Sequence, residues 1–153
     1  MSVHVLAVNP EPWTSPSIAR RGATKGVVVY KNEQLRTYQL AVKELLGDRV
    51  PEFPAGTRLS LTFYFWRNTT KGQPADATNM QKATEDAIQD VLLDNDRHVV
   101  HVESWIMEQG TDVEGRVVIG LEAAGSPPEL RLEARVDTPL RIKHDYRDAD
   151  GVF

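Results

Sequence analysis

The sequence predicts an α+β domain: a small mixed sheet with two helices packed on it, in the order β-α-β-α-β-β, followed by an extended C-terminal tail. Three observations carry this. Residues 57–67 alternate, with Leu59, Leu61, Phe63 and Phe65 on one side and Ser60, Thr62, Tyr64 and Trp66 on the other, which is the period of a half-buried strand. Two other stretches, residues 33–46 and the one that opens at Asp76, repeat apolar residues at helical spacing. Strand-like runs precede, separate and follow these helices, so the helices have a sheet to pack on. With 153 residues, 41% hydrophobic and 26% charged, the chain is long enough for one domain with a sizeable core.

Residues 3–8 alternate weakly and open the chain as a strand. Pro10, Pro12 and Pro16 then interrupt regular structure, with Trp13 among them; its ring could stack on a base, but an aromatic in such a loop more often packs on the core. Residues 15–26 are small, basic and glycine-containing, and are expected to form a mobile loop. Residues 27–30, Val-Val-Val-Tyr, are β-prone. Asn32 is placed to cap a helix over 33–46, where Leu35, Tyr38, Val42 and Leu45 or Leu46 recur on one face, and Gly47 suits its stop. Pro51 and Pro54 mark the connection to the strand at 57–67.

A polar loop, 69–75, leads to the stretch 76–96, read as a helix of about 15 residues with carboxylates at both ends. Met80, Ala83, Ala87 and Val91 form its core stripe; Asn79, Lys82 and Asp86 lie on a neighbouring polar stripe. Such a helix is about 22 Å long, so Asp76 and the run Asp94-Asn95-Asp96 converge only if the following segment turns back along it. Residues 98–107, rich in Val, Trp and Ile, suit that return. Their odd spacing puts His98 and His101 on opposite faces of a strand, which makes them structural or exposed and not a metal pair. Residues 109–115 read as a turn and 116–121 as the second strand of a hairpin. The domain is expected to span 1–124. In the extension, 125–153, Leu130, Leu132, Ala134 and Val136 alternate as a further edge strand would; the last dozen residues look disordered or partner-dependent.

Composition excludes some chemistry. The chain has no cysteine, hence no disulfide framework and no thiolate metal site. It has no apolar run long enough for a membrane span and no apparent secretory signal, so the cytoplasm is the expected compartment. The net charge of −4 does not advertise nucleic-acid binding, but Arg20, Arg21, Lys25, Lys31 and Arg36 cluster with only Glu33 among them. That cluster is either a solvated surface or a surface that tracks phosphates.

Carboxylates without cysteine or a tight histidine cluster favour a hard, oxygen-ligated ion, Mg²⁺ or Mn²⁺. A lysine beside them suits a phosphate, and the combination suggests metal-assisted phosphodiester hydrolysis. Each residue also has an ordinary structural reading. Asp76 can be a helix cap, Lys82 and Asp86 an i,i+4 ion pair, and Asp94-Asn95-Asp96 a polar turn.

The same residues resemble the RusA family of Holliday junction resolvases, small endonucleases of phages, prophages and bacteria. That family carries Asp-x-Asp-Asn-x-x-Lys at a helix start, an Asp four residues after the lysine, then an Asp-Asp pair leading into a Val-rich strand. Here the chain reads Asp76-Ala-Thr78-Asn79-Met-Gln-Lys82, then Asp86, then Asn95-Asp96-Arg-His-Val-Val. The order of elements from residue 3 to about 121 also agrees; the tail after Gly125 lies outside the resemblance. The resemblance implies Asp76, Lys82 and Asp96 as catalytic residues, with Asp76 and Asp96 as first-rank Mg²⁺ ligands. Thr78 stands where the family has its second aspartate, and Asn95 where it has the first of the pair. Thr78, Asp94 and Asp86 are therefore further candidate ligands; either neighbours rebuild the site or activity is reduced.

The resemblance further implies a homodimer with two active sites acting on branched DNA, which suits the two-fold symmetry of a four-way junction. Arg20, Arg21, Lys25 and Lys31 are the expected DNA-binding residues. Two other classes compete: a module of the same fold that holds branched DNA without cutting it, and a protein-interaction domain that uses the acidic tail and has no nucleic-acid role.

Overall fold

A computed structural model of the protein describes residues 1–15 and 32–127 with their side chains, and the backbone of 17–21 and 26–30. Its elements are β1 (Ser2–Leu6), β2 (Ser17–Arg21), β3 (Gly26–Tyr30), α1 (Glu33–Leu46), β4 (Leu59–Asn68), α2 (Ala77–Ile88), β5 (Val99–Gly110) and β6 (Arg116–Ala123). The expected order holds for the main sheet, and β2 and β3 are an addition to it.

The alternation of β4 sets the two sides of the molecule. Leu59, Leu61, Phe63 and Phe65 point inward and are buried, the two phenyl rings stacked at 5.9 Å. The four-stranded sheet runs β1-β6-β4-β5. β4 pairs in parallel with β5 and antiparallel with β6, and β6 pairs antiparallel with β1. A parallel neighbour requires a crossover, and α2 supplies it.

The expected hairpin of the last two strands does not form. β5 and β6 lie on either side of β4, and residues 111–115 bridge the end of β4 between them. Asn68, the last residue of β4, anchors this bridge: its side-chain Nδ2 donates to the carbonyls of Thr111 at 3.1 Å and Val113 at 2.9 Å. Inserting β4 between them gives its apolar inner face a neighbour on both sides. Side-chain alternation identifies a strand but not its partner.

In α1, the Asn32 side chain accepts from the amides of Gln34 and Leu35, and Gly47 ends the helix at φ 61°. Leu35, Tyr38, Val42 and Leu46 are buried, whereas Leu45 is exposed. α2 stops at Ile88, short of the expected length. Asp90 takes φ 65°, a left-handed conformation that aspartate tolerates better than most side chains, and the chain turns there so that Leu92 and Leu93 enter the core. Val91 therefore packs from a turn and not from a helical stripe.

Residues 17–21 pair antiparallel with 26–30, so a two-stranded sheet stands where a loop was expected over 15–26. The sequence of β2 has little strand propensity of its own, and its shape comes from the Val-rich partner. The alternation at Leu130, Leu132, Ala134 and Val136 lies outside the described residues. Among the described residues, no helix is long and apolar enough to cross a membrane.

Candidate active site

The loop before α2 is held at both flanks. Ala75 exchanges two 2.9 Å hydrogen bonds with the Gln109 amide near the end of β5. Arg67, buried on the inner side of β4, donates through Nε and Nη2 to the Gln73 carbonyl at 3.3 and 3.1 Å. Its Nη1 bonds the Pro10 carbonyl and pairs with Glu11 at 3.2 Å. One guanidinium thus fixes the loop leading to Asp76 and the strap leading to Trp13.

Asp76 caps α2. One carboxylate oxygen accepts from the Asn79 amide at 2.8 Å and the other from the Asn79 side chain at 2.9 Å. A carboxylate has about four acceptor sites, so two bonds leave this exposed group able to accept more. Asn79 thereby gains a role that follows from its neighbour: it orients Asp76. Thr78 lies exposed in the first turn.

Lys82 does not pair with Asp86. Its ammonium sits 3.5 Å from the centroid of the Trp13 ring. Trp13 is itself fixed by the 2.9 Å bond from its amide to the Asn79 carbonyl and by packing on the core. The ring holds the lysine about one and a half turns along the helix from Asp76. Asp86 instead lines a cleft of about 490 Å³ with Trp13, Asn32, Arg36 and Gln39.

The second acidic group lies at the other end of α2. Asp94 accepts from the Gly56 amide at 3.2 Å and contacts His98 at 3.4 Å. Desolvation works against its charge, but the Gly56 amide, His98 and the Asn95 amide together hold the carboxyl below its ordinary range. Asn95 caps a single 3-10 turn, Asp96–His98, with Asp96 exposed at its start. His98 is therefore in that turn and not on β5, while His101 bonds Ser60 across β4 and β5 at 2.8 Å.

The return along the helix does occur, as β5, but it does not bring Asp96 to Asp76. β5 runs parallel to β4, so its start lies beside the beginning of β4, where Gly56 holds Asp94. Its end lies where Gln109 holds Ala75. The two acidic groups mark opposite ends of a helix of 12 residues, about 18 Å long. Among the described residues, no three Asp, Glu, His or Cys side chains gather closely enough to hold a metal ion. The described carboxylates of one chain therefore do not by themselves assemble a three-carboxylate Mg²⁺ site.

Glu85 was not singled out by its sequence position. It is half-buried, and burial raises its carboxyl above the ordinary range, opposed by a hydrogen bond from Gln81 and reinforced by the charges of Asp86 and Asp96. Gln81 is in turn bonded by Ser104 of β5, which fixes this face of α2 against the sheet. The i,i+4 pair Gln81 and Glu85 was the available signal.

Arg20 and Arg21 fall on β2, where the backbone alone is described; Lys25 and Lys31 lie outside the described residues. The family model described as endodeoxyribonuclease RusA matches residues 8–122, from the strap that carries Trp13 to the last strand. No individual curated protein matches the chain. The matched region takes in the capped Asp76, the Trp13-held Lys82, the Asp96 turn and the sheet that spaces them, and its extent shows that the chain belongs to the RusA endodeoxyribonuclease family, which supports a Holliday junction endonuclease function.

Proposed function

We propose that the protein is a Mg²⁺-dependent, structure-selective endonuclease. It cuts Holliday junctions or related branched DNA by paired phosphodiester hydrolysis, as a homodimer in the cytoplasm of a bacterium or a phage-infected host. The observation that carries this reading is the placement of Lys82 on the Trp13 ring, about one and a half helical turns from an aspartate with open acceptor sites, in a chain of an endodeoxyribonuclease family. A positive charge held in place on the same helix as a carboxylate that can take a cation suits the binding of a scissile phosphate between them.

Mg²⁺ commonly uses one or two carboxylates and fills its other positions with water and phosphate oxygens. When bound, it would activate water and neutralise charge on the phosphate; Mn²⁺ would serve the same ligands. Asp76 of one chain and Asp96 of the partner subunit are the two carboxylates of this reading, with Asp94, Thr78 and Asp86 as further candidates. The separation of Asp76 from Asp96 within one chain supports a shared site. β5 is an edge strand of 12 residues, without a second partner among the described residues. A two-fold axis beside it makes the copies antiparallel, so the start of one β5 meets the end of the other. That is the apposition that joins an Asp96 end to an Asp76 end, twice per dimer. Within the chain, Asn79 orients Asp76, Trp13 holds Lys82, and Arg67 fixes the segments that carry both. Arg20, Arg21, Lys25 and Lys31 would contact the junction backbone.

The test is a labelled four-way junction incubated with the protein, with and without Mg²⁺. Paired cuts that require the metal and vanish in Asp76→Asn and Asp96→Asn, with binding retained, are expected. Wild-type cleavage by both variants would sink the reading. A shifted band without cleavage would favour a binding protein, in line with Thr78 standing where the family has an aspartate.

A further inference from the structure

The two helices cover one side of the main sheet. On the other side, the strand register sets Val5, Val118, Tyr64 and Trp105 next to one another across β1, β6, β4 and β5. Val5 is 62% exposed and Trp105 54%, and Met107 extends the row at 51%. Val118 and Tyr64 between them are partly buried, and an apolar row with such exposed members marks a contact surface. Among the described residues nothing covers it.

The path of the chain indicates what does. After β6, the Ala124 amide donates to the Arg58 carbonyl at 2.8 Å, which carries the chain along β4. Gly125, Ser126 and Pro127 then line a cleft on this same outer side together with Thr62, His101 and Glu103. Thr62 and Glu103 are paired in register, two residues before the pair Tyr64 and Trp105. The apolar row is thus about 7 Å from where the chain is delivered. Residues 128–136 read Pro-Glu-Leu-Arg-Leu-Glu-Ala-Arg-Val. Extended, this segment puts Leu130, Leu132, Ala134 and Val136 on one side and Arg131, Glu133 and Arg135 on the other. At about 3.3 Å per residue, 128–130 spans the 7 Å gap and 130–136 the next 20 Å. That is enough to cross the row and reach Met107.

We propose that residues 130–136 of this chain lie over the outer side of the sheet, their apolar side on Tyr64, Trp105 and Met107. The segment would close the one side of the sheet that the helices leave bare, and would keep it from pairing with other apolar surfaces.

Hydroxyl-radical footprinting of the full chain, read residue by residue by mass spectrometry, tests this. In the wild type, Trp105 and Met107 should oxidise several-fold more slowly than in the Leu130→Asp/Leu132→Asp variant. Arg131→Ala/Glu133→Ala, on the opposite side of the alternation, should keep the protection. Equal rates in wild type and the apolar variant would overturn the proposal. So would protection that survives the variant, or protection that disappears on dilution of the wild type and so belongs to a second copy. If the aspartate variant fails to fold, the absence of native cysteine allows a second measurement. Met107→Cys/Leu132→Cys should form an intramolecular disulfide on mild oxidation; no disulfide, or an intermolecular one alone, counts against the proposal.

Discussion

Arg67→Met tests whether one buried guanidinium holds the active-site segments. The side chain is 2% exposed and serves three groups: the Pro10 carbonyl, the Gln73 carbonyl and the Glu11 carboxylate. Methionine fills similar space but donates nothing, so two carbonyls lose their charged donor and Glu11 loses its partner. A carbonyl left without a partner costs about 1 kcal/mol or more. Breaking a fully buried pair costs about 3–5 kcal/mol, and Glu11, at 22% exposure, recovers part of that from water. The sum is about 3 kcal/mol, or a little over a hundredfold in the ratio of folded to unfolded protein. Urea unfolding of wild type and variant in Mg²⁺-free buffer measures it. The loss should also appear as faster hydrogen exchange in 10–13 and 73–76, the segments the arginine ties down. A change below about 1 kcal/mol would refute the assignment, because surface substitutions stay within about half that. Gly72→Ala gives a companion test: an added Cβ would lie 2.7 Å from Arg67 Nη2, which the Gln73 carbonyl keeps in place.

Further outcomes follow from other interactions. Trp13→Leu should slow junction cleavage by loosening Lys82, whereas Trp13→Phe, which keeps a weaker aromatic face, should lie between it and wild type; equal rates for the two variants would deny the ring its role. Glu85 carries a raised pKa, so the folded chain binds its proton more tightly than the unfolded chain, and stability falls as pH rises from the ordinary glutamate range through the raised value. Glu85→Gln should abolish that fall, seen as a flatter melting temperature against pH in metal-free protein; an unchanged profile contradicts the assignment. Arg20→Ala/Arg21→Ala should weaken junction binding and lower its salt slope by about one for each phosphate no longer neutralised, with cleavage near normal at saturation. Asn32→Ala should cost about 1 kcal/mol by removing the cap of α1, measured by urea unfolding.

Local signals in the sequence were sufficient for α1, where Asn32, the repeat from Leu35 to Leu46 and Gly47 mark both ends. They were sufficient for β4, whose alternation is unbroken, and for Asp76 as the start of α2. Non-local interactions account for what differed. Val91 fits the helical stripe of α2, and the burial of Leu92 and Leu93 after the left-handed Asp90 is what ends the helix. Residues 17–21 become a strand through pairing with 26–30, and β5 and β6 are separated by an inserted β4. At the site, the spacing of Lys82 and Asp86 suggests an ion pair, but the lysine goes to an aromatic ring from a distant proline-rich strap. Glu85 carries no motif, and its raised pKa comes first from burial, with the charges of Asp86 and then Asp96 adding to it. The motif marks Asp76, Lys82 and Asp96 one by one as candidates; the parallel pairing of β4 and β5 is what leaves the two aspartates at opposite ends of α2.

The most direct measurement of a shared, Mg²⁺-dependent site is subunit mixing. Asp76→Asn and Asp96→Asn proteins, each inactive alone, are unfolded together, refolded and assayed on a labelled four-way junction with Mg²⁺. In a mixed dimer, one site receives Asp76 from one chain and Asp96 from the other, and the second site receives neither. Mixing should restore cleavage as single nicks, at roughly a quarter of the wild-type site number, because random pairing makes about half the dimers mixed and each has one intact site. No cleavage from the mixture, with mixed dimers verified by mass, would contradict it.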